Sequence, residues 1–204
     1  MTSSPLAELL TYTAEHAGPA ASKLTGFVAA YFDNTDPDEI AARGPATLFA
    51  IANAHWRLLD APRTASMARI RVFNPTLAED GFASDHTVVQ IVQDNMPFLV
   101  DSVTMAINRG NRTAHWIVHP LMSVARDAQG KIATVTSAAA ATTSGRADPV
   151  ESLILVECDR IVSAAEQQAL ADELGRVLSD VRSTVQDWSA MLARVQAVTA
   201  ASEK

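Results

Sequence analysis

From Met67 onward the chain sets β-branched runs around one amphipathic helix and closes on a second, and this order restricts the fold more than any other feature. The run Met67 to Phe73 alternates apolar and polar residues, the period of a half-buried strand, and Asn74-Pro75 closes it. Thr87 to Gln93 is β-branched between turn signals and predicts a second strand. A helix follows from about Phe98 to Asn108, with Leu99, Val103, Ala106 and Ile107 inward and Gly110 as its stop. Thr113 to Arg126 reads as one long strand, and Asp127-Ala128-Gln129-Gly130 as a hairpin turn into Lys131 to Val135. Ala138 to Asp148 is small, polar and poorly patterned, which predicts a mobile loop. Ser152 to Cys158 has the character of a buried strand. Ser163 and Glu166 then stand at capping-box spacing. Beyond them Leu174, Leu178, Val181, Val185, Trp188, Leu192 and Val195 recur in steps of four and three, a seam of the coiled-coil type.

The first sixty residues have a different texture. Ser4-Pro5 starts one helix, Leu24 to Phe32 marks a second, Asp36-Pro37 caps a third, and Leu48 to Leu59 gives a fourth apolar face that Pro62 ends. The expected fold class is therefore α+β. An N-terminal helical cap (1–65) precedes an α+β domain (66–182), and a connecting helix (183–204) follows. Strand, helix, strand, hairpin, strand, helix is most of a ferredoxin-like βαββαβ unit, an antiparallel sheet with two helices. Its closing strand is absent after the last helix, so the strand at Ile70 to Phe73 is expected to fill the sheet edge.

Composition excludes several classes of function. Lys plus Arg is 16 against 23 Asp plus Glu, a net charge of −7, and no basic block offers a nucleic-acid surface. Cys158 is the single cysteine, so no internal disulfide forms and a reducing, cytoplasmic location is expected. Met1 to Pro5 does not read as a secretory signal, and no apolar run reaches the ~18 residues of a membrane span. No Gly-x-Gly-x-x-Gly is present, so no dinucleotide cofactor site is expected here. No nucleophile elbow supports a hydrolase, and Ser102 falls inside a helix. His115 and His119, four apart on a strand, would stand roughly 13 Å apart at ~3.3 Å per residue, too far to share a metal. No catalytic or metal-binding residue is therefore assigned.

Several runs carry a family resemblance. Asp94-Asn95-Met96-Pro97-Phe98-Leu99-Val100-Asp101-Ser102-Val103 is the sharpest. Arg71-Val72-Phe73-Asn74-Pro75 precedes it, and His119-Pro120-Leu121 with Arg126-Asp127 follows. Glu151-Ser152, Glu157-x-Asp159-Arg160, Asp180-Val181-Arg182 and Asp187-Trp188 complete the order. Together, from roughly Phe27 to Met191, they resemble the N-terminal region of the large bacterial NAD-specific glutamate dehydrogenases. The resemblance implies an ACT-type regulatory region, non-catalytic by itself, of a longer, homo-oligomeric chain that binds glutamate and the cofactor NAD elsewhere. Asn95 stands where that family more often has a second acidic residue.

The resemblance also implies a site. In ACT-like folds small effectors, usually amino acids, bind near the loop between the first strand and first helix. That points to Asp94, Asn95, Met96, Pro97, Phe98 and Asp101, with Asp94 or Asp101 holding an ammonium group and helix N–H groups a carboxylate. The competing reading is structural: Asp94 or Asn95 caps the helix, Pro97 sits in its first turn, and Phe98, Leu99 and Val100 are core. Trp188, Leu192 and Val195 are the expected interface residues, whether to another subunit or to the rest of the parent chain. Under a second reading the domain binds no small molecule and serves only these contacts. Arg126-Asp127 reads as turn chemistry with an exposed local ion pair.

Overall fold

Capping chemistry sets the first helices. Ser4 Oγ accepts from Ala7 N at 3.2 Å and Pro5 opens α1 (Pro5–His16). Helix α2 spans Ala21–Tyr31. Asp36 Oδ1 accepts from Asp38 N at 2.8 Å ahead of α3 (Pro37–Arg43), and α4 runs from Pro45 to Asp60. The computed structural model describes residues 4–61, 67–143, 145 and 148–202. The expected stop at Pro62 and the division between 65 and 66 lie outside them.

The strands are β1 (Arg69–Phe73), β2 (Thr87–Asp94), β3 (Ala114–Val118), β4 (Leu121–Arg126), β5 (Ile132–Ser137) and β6 (Val150–Cys158). They form one antiparallel sheet in the order β1-β2-β6-β4-β5, with β3 also on β6. Strand β1 pairs with β2 at the edge, the place expected for Ile70 to Phe73. The single long strand expected from Thr113 to Arg126 is divided. Val118 faces Leu155 and Leu121 faces Ser152, so β3 and β4 keep one register on β6 across His119-Pro120. Proline has no N–H for the ladder, but its carbonyl still accepts from Leu153 N at 3.1 Å.

Both faces of the sheet are covered, which is why β2 and β6 are buried almost throughout, polar residues included. Val88, Val92, Leu153 and Leu155 pack with Phe27, Tyr31, Phe32, Leu48 and Ile51 of the helical cap. Val89, Ile91, Ile154, Val156 and Cys158 face the other way, against α6 (Leu99–Arg109) and α8 (Ala164–Ser202). Burial pushes the Cys158 thiol up to about 11, so it is an inert core group. Two short helices complete the chain, α5 (Leu77–Asp80) and α7 (Ala138–Thr143). The latter corrects the first part of the loop expected from Ala138 to Asp148, of which residues 144, 146 and 147 lie outside the described residues. Alanine is the best helix former, and Ser137 Oγ accepts from Ala140 N at 3.2 Å.

Helix α8 has 39 residues, roughly 58 Å at ~1.5 Å per residue. Leu170, Leu174 and Leu178 bury its first part, and beyond Arg182 the described side chains are exposed apart from half-buried Val185. Gly175 lies in the buried part with ordinary helical backbone, and an added Cβ would meet only Ile70 Cδ1, at 3.8 Å. Gly175→Ala is expected to stabilise the protein by about 0.5–1 kcal/mol, read as a higher urea midpoint at unchanged slope. A lower midpoint would mean that the helix needs glycine at that point.

Candidate functional site

The loop after β2 is pinned at its start: Asn95 N donates to Val150 O at 3.0 Å. Asp94 turns away from the next helix, and Arg182 Nη1 donates to its Oδ2 at 3.2 Å. Neither Asp94 nor Asn95 caps α6, which corrects the structural reading of this run. The N-cap position is Phe98, with φ 69° and ψ 9°, and no side chain bonds that end. Pro97 therefore precedes the helix by two residues instead of sitting in its first turn. Leu99 is core, whereas Phe98 is 66% exposed and is not. Asp101 is exposed in the first turn, where the helix dipole favours a negative charge. Met96 packs against the α6–α8 core.

A bulky residue in the left-handed region costs on the order of 1–3 kcal/mol, and such outliers cluster at functional sites. Phe98 is one, and its ring faces solvent instead of the core. Its neighbour across space is α8. Pro97, Phe98, Thr184, Val185 and Trp188 line one apolar cleft of about 470 Å³. Trp188 is 63% exposed, and Met191, Leu192, Val195 and Val198 continue an apolar stripe along the projecting helix. The structure thus brings Pro97 and Phe98 together with Trp188. The four-and-three spacing marked Trp188, but no signal in the sequence linked it to Phe98, ninety positions earlier. Asp94 lines a different cleft of about 420 Å³ beside Arg126, Asp148 and Glu151. Asp101 lines neither.

The family model for the glutamate dehydrogenase ACT1 domain matches residues 27–174, from within α2 to the first third of α8. The chain belongs to that family. The NAD-specific glutamate dehydrogenase of Pseudomonas aeruginosa is 33% identical over 190 residues, covering 93% of this chain and 12% of that protein. The enzyme of the same name from Halomonas elongata is 36% identical over 129 residues, covering 63% of this chain and 8% of its own length. The ACT1 chain therefore spans about a tenth of the length of these curated relatives.

In the ACT1 domain the polar residues of the quoted runs are largely scaffold. Arg126 corrects the expected exposed pair with Asp127. Its guanidinium forks onto both oxygens of buried Glu151 at 2.9–3.1 Å and donates to Leu59 O and Gly130 O. Asp127 instead organises the hairpin turn, accepting from Gln129 N and Lys131 N at 2.9 Å. Arg43 bridges both oxygens of buried Glu157 at 3.0–3.1 Å and lies 3.6 Å over the Trp116 ring. Asn74 donates to Ile161 O and accepts from Thr87 Oγ1. The Arg126, Arg43 and Asn74 bonds sew the cap, sheet and α8 entry together.

The histidines separate by environment. His55 is buried between Tyr31 OH, at 2.7 Å from Nδ1, and Ile91 O, at 3.1 Å from Nε2. Burial lowers it to about 4. His119 meets Ser152 Oγ at 2.7 Å and is lowered by burial as well. His115 meets Asp159 at 2.6 Å, and its ring lies 4.4 Å from that of His86. The Asp159 carboxyl is held below its usual range, first by Thr113 N–H and then by His115. Among the described residues no three His, Cys, Asp or Glu side chains are placed to share a metal ion. No described helix is long and apolar enough to cross a membrane.

Proposed function

We propose that this chain is a non-catalytic assembly and regulatory domain in the N-terminal region of an NAD-specific glutamate dehydrogenase. The parent reaction is oxidation of L-glutamate with NAD to 2-oxoglutarate and ammonia. NAD and glutamate are then held by parts of the parent enzyme outside this chain. The family match and the names of the two relatives support the parent assignment. The sheet order supports a ferredoxin-like reading, in which β2, α6, β3/β4, β6 and α8 form the unit and β1 takes the place of the fourth strand. The three-part division at residues 65/66 and 182/183 belongs to the same proposal.

The observation that carries the assembly role is the apolar cleft of Phe98 and Trp188, continued by Leu192 and Val195. Its lining suits an inserted apolar side chain from a neighbouring subunit or domain better than a zwitterion. Regulation then works by linkage: an effector shifts the parent enzyme only by its differential affinity for two quaternary arrangements. An amino acid effector near the Asp94 to Asp101 loop remains part of this proposal, and a contact-only module is its alternative.

The test pairs mass in solution with titration. The chain is expected to self-associate at micromolar concentration, and Phe98→Ala with Trp188→Ala to shift sedimentation to the monomer with the circular dichroism spectrum retained. An unchanged mass for that variant would remove the cleft from the interface. Calorimetric titration with free amino acids separates the two forms of the proposal: saturable heat favours an effector domain, and flat traces the contact-only module.

A further inference from the structure

A third cleft, of about 250 Å³, lies between the end of β2 and the buried part of α8. It holds the volume of roughly eight waters at ~30 Å³ each. Met67, Ala68 and Leu178 supply apolar walls, and Gly175 leaves one stretch of wall bare. Packing does not demand that glycine, since a Cβ would meet nothing closer than 3.8 Å. Gln93 also lines the cleft. It is 1% exposed, and its Nε2 has no hydrogen-bond partner. Arg182 lines it too; Nη1 is engaged by Asp94, and the buried Nη2 has no partner. Two buried donors without acceptors in one cleft are costly, and most buried polar groups are satisfied. The described lining contains no carboxylate to satisfy them.

We infer that this cleft binds a small organic carboxylate, its two oxygens accepting from Arg182 Nη2 and the Gln93 amide. The planar guanidinium edge matches a carboxylate, and the apolar walls take a short carbon chain. A phosphate fits less well. It brings a charge of about −1.5 to −2 at neutral pH to a single arginine already paired with Asp94. The site goes beyond the assembly reading and does not depend on it, because the cleft shares no lining residue with the Phe98–Trp188 cleft. Gln93 lies one residue before the run Asp94 to Val103, and Arg182 ends the run Asp180-Val181-Arg182.

The test is ¹⁵N-resolved NMR titration of the intact chain with succinate, 2-oxoglutarate, L-glutamate and inorganic phosphate. Saturable shifts are expected at the Gln93 side-chain amide and the Arg182 guanidinium with the carboxylates. Tighter binding of L-glutamate than of 2-oxoglutarate assigns an amino acid; equal binding assigns an acid without need of the amine. Gln93→Leu is expected to weaken binding about tenfold or more while raising the urea midpoint, since it removes an unpaired buried amide. Arg182→Lys, which keeps the charge beside Asp94, is expected to weaken binding similarly. Absence of saturable shifts with every carboxylate at millimolar concentration overturns the inference. So does binding undiminished in Gln93→Leu, or phosphate binding tighter than any carboxylate. Loss of self-association in the Phe98/Trp188 variant, with carboxylate binding intact, keeps the two proposals separate.

Discussion

Replacing Glu151 with alanine is expected to destabilise the domain by about 3 kcal/mol, the low end of the range for breaking a buried ion pair from one side. Glu151 is 4% exposed at its side chain and Arg126 18%. Their attraction is therefore weakly screened, and the guanidinium left behind stays largely desolvated. Arg126 keeps Leu59 O and Gly130 O as acceptors, which is why the low end applies. For a chain of this size the loss corresponds to a fall of roughly 6–12 °C in Tm. The double change Arg126→Met with Glu151→Leu is expected to recover most of it, because apolar side chains of similar volume often replace a buried pair at little cost. A loss below about 1 kcal/mol for Glu151→Ala would put the pair in the class of exposed surface bridges. The Arg43–Glu39 contact, at 3.4 Å with Glu39 49% exposed, belongs to that class, and Glu39→Ala, which leaves Arg43 on Glu157, is the natural control.

Acid is expected to weaken the fold well above the titration range of its carboxylates, and His55 is the cause. Ile91 O can only accept, so Nε2 carries the proton and Nδ1 accepts from Tyr31 OH. The folded state holds the ring neutral down to about pH 4, against 6.5 in the unfolded chain. Above 6.5 both states are neutral and the stability is fully present. As pH falls from 6.5 to about 4 only the unfolded chain takes up the proton, so stability declines. At about 1.4 kcal/mol per pH unit the loss is about 3 kcal/mol. His119, lowered for the same reason, adds in the same direction. Urea midpoints measured from pH 7 to pH 4 test this. The slope across that window should flatten in the double variant Tyr31→Phe, His55→Leu, which removes the titrating ring and its hydroxyl donor together. An equally steep slope in that variant would acquit His55.

The candidate loop was legible as a location and not as a mechanism. Its residue types, Asp94-Asn95 before Pro97 and an apolar run, match a capped helix start as well as a ligand loop. The choice between them depended on where Asp94 points, and Arg182, eighty-eight positions away, decides that. The left-handed backbone of Phe98 had no warning in the sequence, since such a conformation normally falls to glycine or asparagine. Gln93 passed as the polar end of a β-branched strand, and only burial made it a donor in need of an acceptor.

Elements came from the sequence with little help, because periodicity is a local property. The four- and three-residue steps of α8, the β-branched runs of β2 and β6, and the caps at Ser4 and Asp36 each express preferences spanning a few neighbours. The edge position of β1 could be inferred by counting strands. The register kept across His119-Pro120, the fork of Arg126 onto Glu151, and the meeting of Phe98 with Trp188 could not. Each joins side chains brought together only when both faces of the sheet are covered. Sequence periodicity determined which faces are apolar; tertiary packing alone decided which polar groups are left in the dry interior, and whether each finds a partner there.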